Sequence, residues 1–286
     1  MKPRSCSVNQ CGLFLVAAGT FFFLAATQTR AEFEIQESTI DPGEIQLQYR
    51  GAWHGGLPTL RSEAGEADEL LPDDEEAPLR QSHEAELQMS VTSHWLLALT
   101  GGFDQADDDT LKLTAIEFES QIELVTREGD GLGLAVQAGV EQAQFGAPEG
   151  EDGDWHFGPI VELAKSKLVL VLNPLFYRER GQMVEQEGLG FEYGWQARYE
   201  ANPKLWLAVE MFGDVEDLAN PGAFKEQLHS IGPAFYYTFG KDDEAGGEEE
   251  GKKGDAELTV SLGAQFGLTE QASDAALKIF IGYEFF

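Results

Sequence analysis

The sequence predicts an all-β fold, a transmembrane antiparallel up-and-down β-barrel of about twelve strands. Three observations predict it. Apolar and polar residues alternate with a period of two over most of the chain, which marks strands with one apolar and one polar face. No apolar run reaches the ~18 residues that a spanning helix needs. Short and long connections between the strands alternate, as they do when tight turns face one compartment and loops the other.

The alternation is cleanest near the end of the chain. Leu258, Val260, Leu262, Ala264, Phe266 and Leu268 point one way, and Glu257, Thr259, Ser261, Gly263, Gln265 and Gly267 the other. After a turn at 269–274, Leu277, Ile279, Ile281, Tyr283 and Phe285 share a face against Lys278, Gly282 and Glu284. An exported chain ending on such an amphipathic, aromatic strand resembles the outer-membrane β-barrels of Gram-negative bacteria. That resemblance implies outer-membrane lipid and lipopolysaccharide as surroundings, and barrel-insertion machinery that reads the last strand. Here the in-register terminal aromatic is Phe285, so Phe286 is one residue extra.

Residues 1–31 read as a signal peptide for Sec-type export. Lys2 and Arg4 precede an apolar run at 12–26, and Thr29-Arg30-Ala31 offers small residues for cleavage. Both cysteines, Cys6 and Cys11, lie in this segment, so the exported chain has no thiol for disulfides or metal sites. The chain carries 51 acidic and 19 basic residues, a net charge of −32. Nucleic acid and anionic lipid are poor partners for such a chain, whereas cations are attracted.

In order, 32–42 reads as a polar periplasmic lead and 43–286 as the barrel. The first strand sets Ile45, Leu47, Tyr49 and Trp53 against Glu44, Gln46, Gln48 and Arg50. A long acidic loop at 56–79 follows. The second strand opposes Ala85, Leu87, Met89 and Val91 to Glu84, Glu86, Gln88 and Ser90, and a tight Thr92-Ser93-His94 turn gives the third, at 95–103. After the acidic Asp107-Asp108-Asp109 loop, the fourth strand turns Ile116, Phe118, Ile122 and Leu124 away from Glu117, Glu119, Gln121 and Glu123. Glu128-Gly129-Asp130-Gly131 is a hairpin signal. The fifth strand opposes Leu132, Leu134, Val136 and Val140 to Gly133, Gln137, Gly139 and Glu141. The sixth, at 155–163, meets the seventh, at 167–177, through a turn at Lys165-Ser166; the seventh is apolar on both faces, so its parity is open.

The eighth strand sets Leu189, Phe191, Tyr193, Trp195 and Tyr199 against Gly190, Glu192, Gly194, Gln196, Arg198 and Glu200. The ninth puts Glu210 and Trp206 opposite Leu205, Leu207, Val209 and Met211, and the tenth spans 227–240. Residues 242–255 form an acidic, glycine-rich tract expected to be disordered. It is long where the alternation of connections asks for a short turn. An insertion between two well-patterned strands explains it better than a miscounted strand.

Alternation alone does not say which face is inside. The apolar face carries large aromatics near strand ends, among them Trp53, Trp155, Tyr193, Tyr199, Tyr283 and Phe285, which suits the aromatic girdles of a lipid-facing exterior. The other face then lines the lumen with Glu44, Arg50, Glu84, Glu86, Glu117, Glu119, Glu123, Glu141, Glu162, Glu192, Arg198, Glu200, Glu210, Glu257, Lys278 and Glu284. Three bases cannot pair so many acids, and an unpaired buried carboxylate costs several kcal/mol. Water and mobile cations are therefore expected inside. Glutamates two residues apart stand about 7 Å apart and repel by only about 0.6 kcal/mol in water.

No catalytic, cofactor-binding or metal-binding motif stands out in the sequence. His54 and His156 face inward near one rim, but no serine is placed beside either. Residues 149–154 resemble a calcium loop in composition only; acidic loops of this kind can hold divalent cations that bridge lipopolysaccharide.

Three short stretches carry a family resemblance: 229–237 (HSIGPAFYY), 157–160 (FGPI) and 190–194 (GFEYG). Together they resemble the outer-membrane barrels grouped as the MetA-pathway of phenol degradation family. The resemblance implies a barrel that acts as a channel or transporter, with no catalytic residues to carry over. The expected function is a porin-like channel for small hydrophilic or cationic solutes. The alternatives are a structural or cation-binding barrel without transport, and a lipid hydrolase sited at the rim.

Overall fold

The computed structural model describes residues 33–56, 79–106, 109–144, 151–181, 188–240 and 256–285. Residues 1–31, read as a signal peptide, most of the 56–79 loop, Asp107 and Asp108, residues 149–150 of the acidic 149–154 stretch, and the 242–255 tract lie outside the described residues.

Twelve strands form one closed sheet: β1 (Ile45–Gly55), β2 (Leu79–Thr92), β3 (Trp95–Ala106), β4 (Lys112–Val125), β5 (Gly131–Ala143), β6 (Glu151–Lys165), β7 (Leu168–Gly181), β8 (Gly190–Asn202), β9 (Leu205–Val215), β10 (Leu228–Phe239), β11 (Glu257–Gly267) and β12 (Ala275–Phe285). Each strand pairs antiparallel with its neighbours in the chain, and β1 closes the ring on β12, from Ile45↔Phe285 to Gly55↔Ala275. Closure leaves no strand edge exposed. In hydrocarbon that is a requirement, because an unpaired backbone group there costs several kcal/mol.

The barrel is inverted relative to a soluble protein. Most of its largest fully buried side chains are polar, namely Gln121, Gln196, Gln265, Glu162 and Glu210. Its exterior carries Leu168 at 58 % exposure, Leu277 at 54 % and Phe118 at 52 %. Trp53, Trp95, Trp155, Tyr199, Tyr283 and Phe285 also lie on that outer face. Such a surface is stable against lipid and not against water.

β7 resolves its own parity. Val169, Val171, Asn173 and Tyr177 are buried inside, and Leu168 points out. Val171 is in register with Glu162 of β6, and Ile160 of β6 with Ala135 of β5; Val171, Ile160 and Ala135 are all fully buried.

Tight turns occupy one rim. The β6–β7 turn is two residues long, with Ser166 at φ 54°, and the Ser166 amide donates to Asp130 Oδ1 of the neighbouring turn at 2.6 Å. The longer connections 216–227 and 268–274 stand on the opposite rim and are tied together by the Glu270 amide donating to the Lys225 carbonyl. β10 and β11 pair directly, so no strand stands between them in the barrel wall.

Candidate functional site: the barrel interior

The register fixes which side chains face the bore. Of the residues expected there, Arg50, Glu86, Glu119, Glu123, Glu162, Glu210 and Lys278 are buried. Glu44, Glu84, Glu117, Glu141, Glu192, Arg198, Glu200, Glu257 and Glu284 are half-buried on the same face.

The bore is not empty. The lead at 32–42 is described from Phe33 onward, and it runs within the barrel rather than beside it. The Phe33 carbonyl accepts from Lys278 Nζ at 3.3 Å, and its ring meets Phe212 edge-on at 5.2 Å. Glu34 pairs with Arg50. Gln36 makes two hydrogen bonds with Asn173, at 2.8 and 3.0 Å. Glu37 pairs with Arg198, and its carbonyl accepts from Gln121 Nε2 at 2.8 Å. Ser38 donates twice to Glu162. Ile40 joins Leu96 and Ala98 in a small buried apolar cluster. A turn at Asp41–Glu44, closed by the Glu44 amide on the Asp41 carbonyl at 3.3 Å with Gly43 at φ +82°, then delivers the chain into β1.

This segment takes the space that the inward glycines leave. A Cβ on Gly194 would stand 3.0 Å from the Glu34 carbonyl oxygen, and one on Gly133 would overlap Ser38 Oγ. Gly190 and Gly263 serve wall side chains instead, the Tyr177 ring and the Lys278 stem.

The three bases expected in the bore are each engaged, and Arg127 joins them 3.5 Å from Glu162. Arg50 contacts Glu34, Glu84 at 3.2 Å and Glu86 at 2.7 Å. Lys278 pairs with Glu210, which also accepts from Gln196 Nε2 at 2.7 Å and from Tyr236. Arg198 joins Glu37 to Glu162 and lies 5.0 Å over the Trp206 ring. Arg50 and Arg198 are each shared by more than one acid, whereas Lys278 meets Glu210.

A further cluster escapes sequence inspection. His156 Nε2 of β6 stands 3.0 Å from Glu117 Oε1 and 3.6 Å from Glu119 Oε2, both on β4. Asp154 Oδ1 lies 3.4 Å from His156 Nδ1. Sequence spacing shows no metal-ligand set because β5 separates these residues. Gly139 of β5 is in register with both Glu119 and His156, and a Cβ there would overlap the imidazole.

The rims differ from the bore. At the turn rim, burial beside Glu284, Asp41 and Glu37 pushes the Glu44 carboxyl up to about 8. At the loop rim, burial beside Asp214 and Glu179 pushes Glu216 up to about 7. Asp109 is held below its ordinary value by a hydrogen bond from Lys112. There too, His54 Nδ1 lies 2.7 Å from Ser273 Oγ, the serine contact that sequence reading did not place. This contact ties the 268–274 connection to β1, and the Phe33 ring lies 6.0 Å from the imidazole.

No protein-family model and no curated protein matches the chain, so the phenol-degradation resemblance is not shown. Among solved structures, the KdgM porin in complex with disordered oligogalacturonate is similar at 9 % identity and a TM-score of 0.48, over 84 % of this chain and 98 % of that one. The NanC porin is similar at 9 % identity and 0.48, over 84 % and 99 %. The Acinetobacter baumannii outer membrane protein Omp33 is similar at 8 % identity and 0.40, over 85 % and 98 %.

Proposed function

We propose that the chain is an outer-membrane channel of a Gram-negative bacterium that admits small hydrophilic or cationic solutes, with residues 33–40 narrowing its bore. The supporting observation is the division of faces: apolar side chains coat the outside, while the inner face carries more carboxylates than the bases that meet them, Arg50, Arg127, Arg198 and Lys278. A low-dielectric wall around fixed negative charge concentrates cations and repels anions. The Ser273–His54 contact is read as a structural tie, not as a nucleophile and its base.

The test is conductance of the purified barrel in planar bilayers under a salt gradient. Discrete steps with a cation-selective reversal potential are expected. Absence of steps across a range of salts would remove the channel, and anion preference would remove the role given to the glutamates. Occupation of the bore by 33–40 favours a second reading, a cation-binding barrel without transport, which predicts cation binding with no steps.

A further inference from the structure

We infer that Glu117, Glu119 and His156 form a binding site for a first-row divalent metal ion, with Zn²⁺ as its type, on the inner wall of the barrel. The inference rests on the wall alone and stands whether or not the barrel conducts.

The ligand atoms of the three side chains all lie within 4.8 Å of one another. Around a metal with bonds of about 2.0–2.2 Å, neighbouring ligand atoms stand roughly 2.9–3.5 Å apart. The His156 Nε2 separations, 3.0 Å to Glu117 Oε1 and 3.6 Å to Glu119 Oε2, are already close to such edges. Bringing the two carboxylates closer takes a small rotation of flexible glutamate side chains, not a backbone shift.

Three further features point the same way. Glu119 is 8 % exposed, and its Oε1 is buried without a hydrogen-bond partner. A buried carboxylate oxygen left unsatisfied is costly, and a metal satisfies it. Asp154 faces His156 Nδ1, which directs Nε2 toward the glutamates and raises its basicity, as a carboxylate behind a ligating histidine does. Gly139 opens the path by which an imidazole on β6 reaches carboxylates on β4 across the intervening strand.

The ligand set also indicates which metal. One imidazole with two carboxylates suits Zn²⁺, Co²⁺ or Mn²⁺, whereas Ca²⁺ and Mg²⁺ take oxygen ligands. Three protein ligands leave at least one position for water. An imidazolium among the same three carboxylates, holding no metal, is the competing account, and it predicts no metal binding.

The experiment titrates the purified full-length barrel in detergent with Co²⁺, following its visible absorption, in the presence of excess Ca²⁺ to saturate the acidic loops. One Co²⁺ per barrel is expected, displaced stoichiometrically by Zn²⁺. His156→Gln and Glu119→Gln should each weaken binding at least tenfold, and Asp154→Asn by about 10–100-fold. Lack of a stoichiometric Co²⁺ signal in the unaltered protein would overturn the site, as would displacement by Ca²⁺ or indifference to His156→Gln. If that variant does not fold, X-ray absorption of the Zn²⁺-loaded unaltered protein decides. Outer-shell scattering from one imidazole supports the site, and an all-oxygen shell overturns it.

Discussion

Ser38 binds Glu162 twice through a single carboxylate oxygen, its amide donating at 3.1 Å and its hydroxyl at 2.6 Å. The carboxylate is fully buried, so both bonds form away from water, where they are stronger. Glu162 also lies 3.5 Å from Arg127 and 3.7 Å from Arg198, and is a main anchor of the segment. Deleting residues 33–40 should raise single-channel conductance several-fold and leave the strand signal in circular dichroism unchanged. Equal conductance before and after deletion would show that the segment does not limit the bore.

Among the described residues, Arg50 is the base shared by the most acids inside the barrel. Arg50→Met would leave Glu34, Glu84 and Glu86 without their cation. A loss of about 3–5 kcal/mol is expected in denaturant unfolding from detergent, the usual cost of removing one partner from a buried charge cluster. Arg50→Lys keeps the charge but loses the forked geometry, and should cost clearly less.

Gly194 tests the fit of the segment without touching any charge. A leucine there would push against the Glu34 carbonyl oxygen and the Ile35 side chain, whose Cδ1 would stand 3.1 Å from the new Cβ. The barrel should still form, since its wall pairing is untouched. Residues 33–40 should become accessible to protease and conductance should rise, as for the deletion.

Glu44 gives the turn rim a pH dependence. Its carboxyl titrates near 4.5 in the unfolded chain and is pushed to about 8 in the barrel, by burial first and then by Glu284, Asp41 and Glu37. The folded state therefore binds this proton more tightly. The stability it contributes is complete below pH 4.5 and is lost as pH rises toward 8. Thermal unfolding scanned from pH 4 to pH 9 should show that decline, and Glu44→Gln should flatten it.

The strands were legible because each obeys a local rule. Alternation at Leu258–Gly267 or Phe191–Glu200 shows the period, and inserted charge on one face shows which side is wet. β7 resisted because its inner face carries Val169 and Val171 where most other strands carry polar residues, so apolar character does not separate its two faces. The path of 33–40 resisted for another reason: Gln36 and Asn173 are 137 positions apart, and Lys278 and Phe33 are 245 apart. The Glu117–Glu119–His156 cluster needed the β4–β5–β6 register and the absence of a side chain at Gly139. Parity could place each of these residues inward but could not bring them together.

The seam between β1 and β12 has a consequence for assembly. It joins the two ends of the barrel sequence, so no half of the wall is complete alone, and any partial sheet carries two bare edges in lipid. Contacts this distant in sequence form late and slowly. Residues 33–44 lead directly into the strand that makes the seam. Closing this seam encloses residues 33–40, as a cask is closed around its contents when the final stave is set.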